Sequence, residues 1–454
     1  MSTRDLSRIV KAYDIRGVVP DEFDEEIARA LGAAFAQYVD APSVVTVHDM
    51  RESSVPLSRA FAEGVLSQGT DVVDAGLGST DLLYFASGFL DLPGAMFTAS
   101  HNPAQYNGIK LCRAGAAPIG VDTGLLEVRS LAEASSVQPG SRLGYARTEV
   151  LLGAYADYLR SLVDLRGSRR LTVVVDAGNG MAGYTVPAVL RDLPLTLVPM
   201  YFELDGDFPN HEANPLDPAN LVDLQAKVLE VAADVGLAFD GDADRCFVID
   251  ERGQPVSPSA VTALVAVREL GKHPGAAIIH NLITSRAVPE IVAEHGGRPV
   301  RTRVGHSYIK AEMARTDAVF GGEHSAHYYF RDFWRADTGM LAAMHVLAAL
   351  GEQDAPLSQL AREYERYVGS GEINSTVEDP VGSSAAVEKA FADRPGIAVD
   401  RLDGLTISFP DGSWFNLRAS NTEPLLRLNV EGRDPARMEQ LRDEVLEVVR
   451  DRTG

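Results

Sequence analysis

The clearest chemical signal in the chain is a run of three aspartates within the segment AFDGDADRCFVI. Asp240, Asp242 and Asp244 alternate along the sequence, so an extended or looped backbone can point all three carboxylates the same way. Because like charges repel strongly at short range, this crowding predicts a bound cation, and the hard oxygen ligands favour Mg²⁺. The alternative is an acidic surface turn, which explains poorly why an apolar run enters and leaves the triplet.

The same segment nearly matches a calcium-binding loop, because Glu251 stands at the twelfth position counted from Asp240. The sixth position of such a loop needs glycine for a sharp turn, and here it is Arg245. The flanking runs VGLAF and CFVID also predict strands rather than helices. The sequence therefore argues against a calcium sensor.

A second candidate lies in the segment MFTASHNPAQYNGIK, where a predicted strand, GAMFTA, delivers Ser100 and His101 to a loop. We expect that loop to close with a turn at Asn107 and Gly108, before Lys110. The pattern is not the G-x-S-x-G elbow of hydrolases, and a serine and histidine adjacent in sequence rarely form a nucleophile–base hydrogen bond. Taken alone, these residues leave Ser100 open as either a structural or a reactive serine.

A third segment, RASNTEPLLR, has the side chains that a phosphate dianion requires. It combines guanidinium, hydroxyl and amide donors on Arg418, Ser420, Asn421, Thr422 and Arg427. The alternative is a polar hairpin loop after the strand SWFNL.

A fourth segment, GGEHSAHYYF, has groups that suit sugar hydroxyls. Glu323 can accept hydrogen bonds from two hydroxyls, and Ser325 can add another. An exposed glycine-rich turn is the alternative interpretation.

Three stretches that must position these residues share one layout: a β-branched strand, a polar loop, a helix opened by proline, and a second strand. The first strands are predicted at 44–47, 171–175 and 277–279, and the helices open at Pro56, Pro187 and Pro289. This βαβ pattern predicts a right-handed crossover and a parallel strand pair each time. Any α/β protein can yield look-alikes, but the similar proline offsets favour three related α/β domains.

The C-terminal part follows a different pattern. Short strands between 397 and 430 are separated by Asp403-Gly404 and Asp411-Gly412, which favour hairpins. Asp434 then reads as the N-cap of a helix whose apolar face carries Met438, Leu441, Val445, Leu446 and Val449. These patterns predict a small α+β domain on an antiparallel sheet.

The composition excludes several classes of partner. Lys plus Arg total 42 against 64 Asp plus Glu, and the net charge of −22 repels nucleic acid. Cys112 and Cys246 are too few for a disulfide framework. The sequence shows no signal peptide and no apolar run of about 20 residues. We therefore expect a cytoplasmic protein without nucleic-acid or membrane partners.

The motifs TASHNP and DGDADR together resemble the α-D-phosphohexomutase family. The resemblance implies that Ser100 is phosphorylated and carries the phosphoryl group. It also implies that Ser100, Asp240, Asp242 and Asp244 hold Mg²⁺. The chemistry agrees, since Mg²⁺ accepts a phosphate oxygen readily in octahedral oxygen coordination.

Further matches extend the resemblance to nearly the whole chain. R-x-S-N-T-E-P is similar to the family's phosphate-binding loop, which assigns that role to Arg418, Ser420, Asn421 and Thr422, with Arg427 just beyond. The G-E-x-S loop is similar to the one that reads the sugar O3 and O4, here through Glu323 and Ser325. Two further segments, KAYDIRG and RVGHSYIK, resemble family motifs and add Tyr13, Arg16, His306 and Arg303 as candidate site residues. Relatives often carry lysine at the position of Arg303.

The resemblance also implies the residues of the proton and phosphoryl transfers. Lys110 matches the family's general base, and its pKa would need lowering by neighbouring cations such as Arg245 and Mg²⁺. Arg245, His101 and His306 complete the set of catalytic candidates.

The implied fold is three similar mixed α/β domains plus a C-terminal α+β domain around a central cleft. We expect boundaries at 1–153 with the phosphoserine loop, 154–254 with the metal loop, 255–367 with the sugar loop and 368–454 with the phosphate loop. A monomer or a homodimer is expected.

The implied activity interconverts hexose 6-phosphate and hexose 1-phosphate through a phosphoserine and a bisphosphorylated sugar, with hexose 1,6-bisphosphate as activator. The form of the sugar loop is closer to the phosphomannomutase/phosphoglucomutase branch. The alternatives are a phosphoglucosamine mutase, a sugar-phosphate phosphatase and a sugar-phosphate binding protein.

Overall fold

Four β-sheets with their own helices follow one another along residues 5–134, 142–419 and 425–450, the part of the chain that the computed structural model describes. The first three units are mixed α/β domains and the fourth is an α+β domain, which confirms the expected fold class. Within those ranges, no helix has both the length and the apolar character needed to cross a bilayer.

Domain I is a seven-stranded mixed sheet in the order β1-β5-β4-β2-β3-β7, with β6 beside β5. Its elements are β1 (Ile15–Val18), α1 (Glu25–Val39), β2 (Ser43–His48), α2 (Ser54–Ser67), β3 (Asp71–Leu77), α3 (Thr80–Leu90), β4 (Gly94–Phe97), β5 (Tyr106–Arg113), β6 (Ala117–Pro118), α4 (Leu125–Glu133) and β7 (Ala146–Thr148). Both faces of β2 are covered, since Val44 belongs to one apolar cluster and Val45 and Val47 belong to the other.

The predicted turn at Asn107 and Gly108 is wrong, because both residues lie inside β5. Gly108 pairs with Arg16 of β1, and a side chain at Gly108 would come within 2.1 Å of the Ile15 carbonyl oxygen. The glycine therefore permits a close approach between two strands.

Domain II is a five-stranded sheet in the order β12-β11-β10-β8-β9. Its elements are α5 (Leu152–Leu162), β8 (Leu171–Asp176), α6 (Ala182–Val189), β9 (Leu195–Met200), α7 (Val222–Glu230), β10 (Val235–Phe239), β11 (Cys246–Asp250) and β12 (Pro255–Val256). β10 runs parallel to β8 and antiparallel to β11, so the β10–β11 connection is a hairpin.

Pro187 does not open its helix as predicted. It lies inside α6, which begins at Ala182, so it forfeits the hydrogen bond to the Gly183 carbonyl. Pro56 and Pro289 do lie in the first turns of their helices, as expected.

Domain III has a five-stranded sheet in the order β14-β13-β15-β16-β17. Its elements are α8 (Pro258–Lys272), β13 (Ala277–Asn281), α9 (Ala287–Glu294), β14 (Arg298–Thr302), α10 (His306–Thr316), β15 (Phe320–Gly322), β16 (Tyr328–Phe330), β17 (Ala336–Asp337), α11 (Gly339–Gly351) and α12 (Leu357–Arg362). The three predicted parallel pairs are confirmed as β2–β3, β8–β9 and β13–β14.

Domain IV is an antiparallel sheet in the order β18-β22-β21-β20-β19, covered by two helices. Its elements are β18 (Val368–Thr376), α13 (Pro380–Phe391), β19 (Ala398–Asp400), β20 (Leu405–Ser408), β21 (Trp414–Ala419), β22 (Leu425–Gly432) and α14 (Pro435–Arg450). Both Asp-Gly pairs connect antiparallel strands, as predicted. The five apolar residues expected on the inner face of α14 are buried, and Asp434 caps the helix by accepting from the Arg437 N–H at 2.9 Å.

One buried carboxylate ties three domains together. Asp81 at the start of α3 accepts from the Tyr155 hydroxyl of α5 at 2.6 Å and from the Thr338 hydroxyl before α11 at 2.7 Å. Asp81 and Tyr155 are almost fully buried. This contact fixes domain I against the elements that follow it.

Candidate active site

Ser100 follows β4 and is held in an uncommon backbone conformation. Its φ of 52° is left-handed, its backbone N–H donates to the Thr98 hydroxyl at 2.9 Å, and only 3% of the residue is exposed. The Ser100 hydroxyl donates to Asp240 Oδ2 at 3.1 Å. The structure thus brings the serine of domain I against the acidic loop of domain II.

Arg51 holds the loop that carries Ser100. Its Nη2 donates to the carbonyl oxygens of Ser100 at 3.0 Å and Asn102 at 2.7 Å. Its Nη1 donates to the carbonyl oxygens of Pro103 at 2.9 Å and Tyr106 at 3.1 Å. One buried guanidinium therefore fixes four carbonyl groups of a single loop, which makes Arg51 a positioning residue.

Arg51 is itself held by two domains. Asp49 lies 3.3 Å from its Nε, and the Phe208 ring of domain II lies 5.0 Å from its guanidinium carbon. The position of the serine loop thus depends on packing between domains I and II.

The three aspartates occupy the tight connection between β10 and β11. Oxygens of Asp240, Asp242 and Asp244 all lie within 4.8 Å of one another, and all three residues are buried. Thr80 of α3 fixes this loop, since its hydroxyl donates to Asp242 Oδ2 at 2.5 Å and its N–H donates to the Asp242 carbonyl at 3.0 Å.

Glycines allow the acidic loop to pack directly on the serine loop. A Cβ at Gly241 would lie 2.5 Å from the Ser100 carbonyl oxygen, and a Cβ at Gly180 would lie 2.6 Å from the Gly241 carbonyl oxygen. Three backbone segments from two domains therefore stack without side chains between them.

The carboxylate cluster fits a divalent cation. Among the residues that the structure describes, Asp242 Oδ1 and Asp244 Oδ1 are buried without a hydrogen-bond partner. Burial, followed by the charges of Asp244 and Asp242, raises the pKa of Asp240 well above its usual range. Oxygen ligands with excess negative charge and unused lone pairs suit a hard cation such as Mg²⁺.

The expected lowering of the Lys110 pKa is not found. Lys110 Nζ lies 2.7 Å from both Asp242 Oδ2 and Asp244 Oδ2. Burial disfavours the charged amine, but these two carboxylates outweigh burial and raise the pKa of Lys110. The pKa is raised because the ammonium group lies against these two anions rather than against Arg245.

His101 contacts Ser100 despite being its neighbour in sequence, contrary to expectation. Its Nδ1 lies 3.2 Å from the Ser100 hydroxyl oxygen and 2.6 Å from Arg245 Nη2. The Arg245 charge, followed by burial, lowers the pKa of His101 to about 2, so the imidazole is neutral. Arg245 Nε also lies 3.2 Å from Asp240 Oδ2, while Arg16 donates to the Asn102 side chain of the serine loop.

A cavity of about 1150 Å³ opens beside this centre and is lined by all four domains. Its lining includes Tyr13, Asn214, Arg303, His306, Glu323, Ser325, His327, Arg418 and Arg427. His327 connects the cavity to the acidic loop, because its Nε2 lies 3.6 Å from Asp244 Oδ1. His327 thus lies between the cavity and the acidic loop, whereas Ser100 and the three aspartates are not among the residues that line the cavity.

The sugar-loop residues are placed on this cavity wall. Glu323 accepts from the Tyr329 hydroxyl at 2.5 Å and from Asn281 Nδ2 at 3.0 Å, which fixes its carboxylate. The Ser325 hydroxyl lies 3.1 Å from His327 Nδ1. Burial, followed by the Arg418 charge, lowers the pKa of the adjacent His324 to about 3. The sugar loop lines the same cavity as Arg418 and Arg427 of domain IV.

Three further candidates form the rim. Tyr13 meets His306 edge-on, with ring centroids 4.6 Å apart, and the Arg303 guanidinium lies 4.8 Å from the centre of the Tyr308 ring. Burial, followed by Lys310, lowers the pKa of His306 to about 3. Domain I and domain III therefore meet at this rim.

The structure describes two of the five candidate phosphate-binding residues. Arg418 and Arg427 lie opposite each other on β21 and β22 and line the cavity. Ser420, Asn421 and Thr422 lie outside the described residues.

Sequence reasoning missed Arg51, Thr80 and His327. His327 could have been noticed, because it lies two residues after Ser325 within the sugar-loop segment. Arg51 and Thr80 carry no local signal, since their partners lie 49 and 162 positions away.

Comparisons with known proteins cover the whole length of this fold. Four family models match in order: phosphoglucomutase/phosphomannomutase alpha/beta/alpha domain I at residues 7–136, domain II at 153–253, domain III at 257–367 and the C-terminal domain at 372–448. A phosphomannomutase from Salmonella montevideo is 42% identical, with 97% of this chain and 98% of the relative aligned. A protein named "Phosphohexose mutases" from Xanthomonas campestris pv. campestris is 40% identical over the same shares.

A solved structure agrees with the sequence comparisons. The phosphoglucomutase/phosphomannomutase family protein from Burkholderia thailandensis superposes with a TM-score of 0.89 at 32% identity, covering 98% of this chain and 97% of the other. The match extends over four domains in both sequence and fold. This chain therefore belongs to the phosphoglucomutase/phosphomannomutase family.

Proposed function

We propose that the protein is a phosphohexomutase that interconverts hexose 6-phosphate and hexose 1-phosphate, with Ser100 as the phosphoryl carrier. One observation carries the proposal: the Ser100 hydroxyl lies 3.1 Å from an oxygen of a buried three-aspartate cluster. The names of the relatives favour phosphomannomutase activity, with phosphoglucomutase activity as a second reaction of the same site.

The proposed reaction has two phosphoryl transfers. Phosphorylated Ser100 gives its phosphoryl group to the free hydroxyl of a bound hexose phosphate, which yields a bisphosphorylated sugar. The sugar turns end for end, and its other phosphate returns to Ser100. A small amount of hexose 1,6-bisphosphate would act as activator by phosphorylating unmodified Ser100.

Different residues of the cavity would bind different parts of the substrate. Arg418 and Arg427 would hold the phosphate that is not reacting, together with Ser420, Asn421 and Thr422. Glu323 and Ser325 would form hydrogen bonds with the sugar hydroxyls. Tyr13, Arg303 and His306 would complete the walls, and Arg16 would support the serine loop through Asn102.

Asp240, Asp242 and Asp244, with the phosphate on Ser100, would hold Mg²⁺. When bound, this ion would neutralise charge on the transferring phosphoryl group and offset the carboxylates that keep Lys110 protonated. Arg245 lies beside Ser100 and would share in the neutralisation. His101 stays neutral and accepts from Arg245, so it positions that guanidinium.

Lys110 is the proposed acceptor of the hydroxyl proton, as implied by its match to the family. His327 is a second candidate for taking the proton. Burial, followed by Arg245, lowers the pKa of His327 and keeps its imidazole neutral. Its place between Asp244 and the cavity supports this second assignment.

We further propose domain boundaries at 1–153, 154–254, 255–367 and 368–454. Two free, buried cysteines, Cys112 and Cys246, support a reducing cytoplasmic location. The assembly is expected to be a monomer or a homodimer, which light scattering distinguishes.

The test compares mannose 1-phosphate, glucose 1-phosphate and glucosamine 1-phosphate as substrates, with Mg²⁺ and catalytic bisphosphate supplied. We expect hexose 6-phosphate to form from mannose and glucose 1-phosphates without net release of phosphate. Phosphate release faster than isomer formation would indicate a phosphatase. Binding without turnover, on a serine that never carries phosphate, would indicate a binding protein, and a preference for the glucosamine substrate would place the enzyme in the other branch.

A further inference from the structure

Two arginines face each other across neighbouring strands of the domain IV sheet. Arg418 of β21 is directly opposite Arg427 of β22, and Arg427 is opposite Asn374 of β18. Side chains alternate between sheet faces, so these residues share the polar face, while Leu417 and Leu428 point into the core. Like charges directly opposite each other destabilise a sheet, so this pair requires an anion.

Glu372 provides that anion from within the chain. Its Oε2 accepts from Arg418 Nη2 at 2.9 Å, and its Oε1 lies 3.6 Å from Arg427 Nη1. The Glu372 side chain is 25% exposed and the Arg418 side chain 14% exposed, so the group is largely shielded from water. Within the described part of the chain, the Nε atoms of both arginines are buried without a hydrogen-bond partner.

The placement of Glu372 leaves it free to move. It is the first residue after an irregularity in the β18–β22 pairing, which interrupts the register between Gly369 and Glu372. Gly371 has a φ of 68°, and no described atom lies within 4 Å of a Cβ built there. Because the Glu372 side chain is 25% exposed and lines the cavity, its carboxylate has open space into which it can swing away from the arginines.

We propose that Glu372 is an internal counter-anion that occupies the phosphate-binding arginines of the ligand-free protein and competes with phosphate for them. The inference rests on the proposed function, in which Arg418 and Arg427 hold the phosphate that is not reacting. Among the described residues, the one carboxylate paired with the two arginines balances one of their two positive charges, whereas a phosphate dianion balances both. Phosphate therefore displaces Glu372, but it binds less tightly than it would to uncompensated arginines.

This competition suits a site that must release its ligand during each catalytic cycle. The bisphosphorylated sugar can turn end for end only if its distal phosphate leaves the arginines. Glu372 stabilises the vacated arginines and so assists that departure. Tighter phosphate binding in the ground state would lower KM without helping turnover.

The test measures binding of inorganic phosphate to full-length Glu372→Gln by titration calorimetry. Since the substitution keeps the shape and removes the charge, we expect the Kd for phosphate to fall about threefold to tenfold. With hexose 1-phosphate as substrate, KM and kcat should fall together. The matched control is Glu388→Gln, which removes the same charge from a surface pair with Arg401 in the same domain and should leave the Kd and kcat unchanged.

Arg418→Ala separates this inference from the proposed function. If phosphate binding is unaffected in that variant, the assignment of the phosphate site is wrong. If Arg418→Ala weakens binding but Glu372→Gln leaves the Kd unchanged or higher, only the counter-anion role is overturned. Glu372→Asp retains the charge with a shorter reach and should give an intermediate Kd, which keeps the test decisive if the glutamine variant fails to fold.

Discussion

Ser100 and Asp240, which lie 140 positions apart in the chain, are joined by a hydrogen bond of 3.1 Å. The bond crosses the boundary between the first two sheets and places a reactive hydroxyl at the edge of a carboxylate cluster. A phosphoryl group on this serine would lie beside the proposed cation. The proposed chemistry depends on this contact.

Replacing Ser100 with alanine should abolish mutase turnover while sugar-phosphate binding is retained. The cavity is lined by other residues, so removing one hydroxyl leaves the binding groups in place. We expect kcat to fall by at least about a thousandfold, because the covalent route is lost. Turnover and calorimetric binding of hexose 6-phosphate measure the two effects, with the surface variant Ser130→Ala as control. Near-normal activity would exclude the carrier role.

Asp242→Asn should weaken Mg²⁺ binding. The substitution removes one of three charges and leaves a neutral amide where a buried oxygen is unpaired. We expect the Kd for Mg²⁺ to rise at least about tenfold, together with the Mg²⁺ concentration that gives half-maximal activity. Asp223→Asn, at the surface on α7, serves as control. An unchanged metal dependence would rule out Asp242 as a ligand.

Arg51→Lys should impair catalysis more than phosphate binding. An ammonium group cannot reach the four carbonyl oxygens that the guanidinium fixes, so the Ser100 loop should shift. A displacement of about 1 Å at a reacting group can cost on the order of a hundredfold in rate, so we expect kcat to fall about tenfold to a hundredfold.

The Kd for inorganic phosphate should not change in Arg51→Lys, because Arg418 and Arg427 belong to another domain. Arg29→Lys, in a surface pair with Glu63, is the matched control. Equal losses in kcat and phosphate affinity would point to general destabilisation instead of positioning.

Asp81→Asn should change how stability depends on pH. Burial raises the pKa of Asp81 from 3.8 to about 6, although hydrogen bonds from Ser79, Tyr155 and Thr338 oppose the shift. A raised carboxyl pKa means that the folded protein binds the extra proton, so the Asp81 contribution to stability is greatest below about pH 4 and is lost as the pH rises through about 6.

The size of this effect is bounded by the shift in pKa, at most about 3 kcal/mol in the free energy of unfolding. Denaturant unfolding at about pH 4.5 and about pH 7.5, on either side of the pKa of folded Asp81, measures this difference in the free energy of unfolding. The wild type should lose more stability between these values than the asparagine variant. Parallel changes in both proteins would contradict the assignment.

Local patterns in the sequence identified much of the site. The alternating aspartates, the apolar strands around them and the Asp-Gly hairpins of domain IV all depend on neighbouring residues, and the structure contains each of them. Contacts between remote residues left no such trace. Glu372 and Arg418 are 46 positions apart, and nothing in the sequence near either residue indicates the pairing.

The two incorrect predictions, a turn at Asn107-Gly108 and a lowered pKa of Lys110, have the same cause. Asn107-Gly108 has the composition of a tight turn, yet the backbone of β1 passes so close that only glycine fits in β5. A role as general base required cationic neighbours that lower the pKa of Lys110, but the fold places its amine 2.7 Å from each of two carboxylates. In both cases, a partner from another part of the chain decided the outcome.

The glycine stack at residues 180 and 241 under Ser100 has a consequence for how such a protein diversifies. Because backbone packs directly on backbone there, a residue larger than glycine does not fit at either position. Substitution at these positions would therefore disturb the geometry of phosphoryl transfer. Side chains on the cavity wall such as Arg303 and Ser325 border open space instead. Substitutions in the cavity walls can thus change the preference for one hexose over another, while the geometry of phosphoryl transfer is kept.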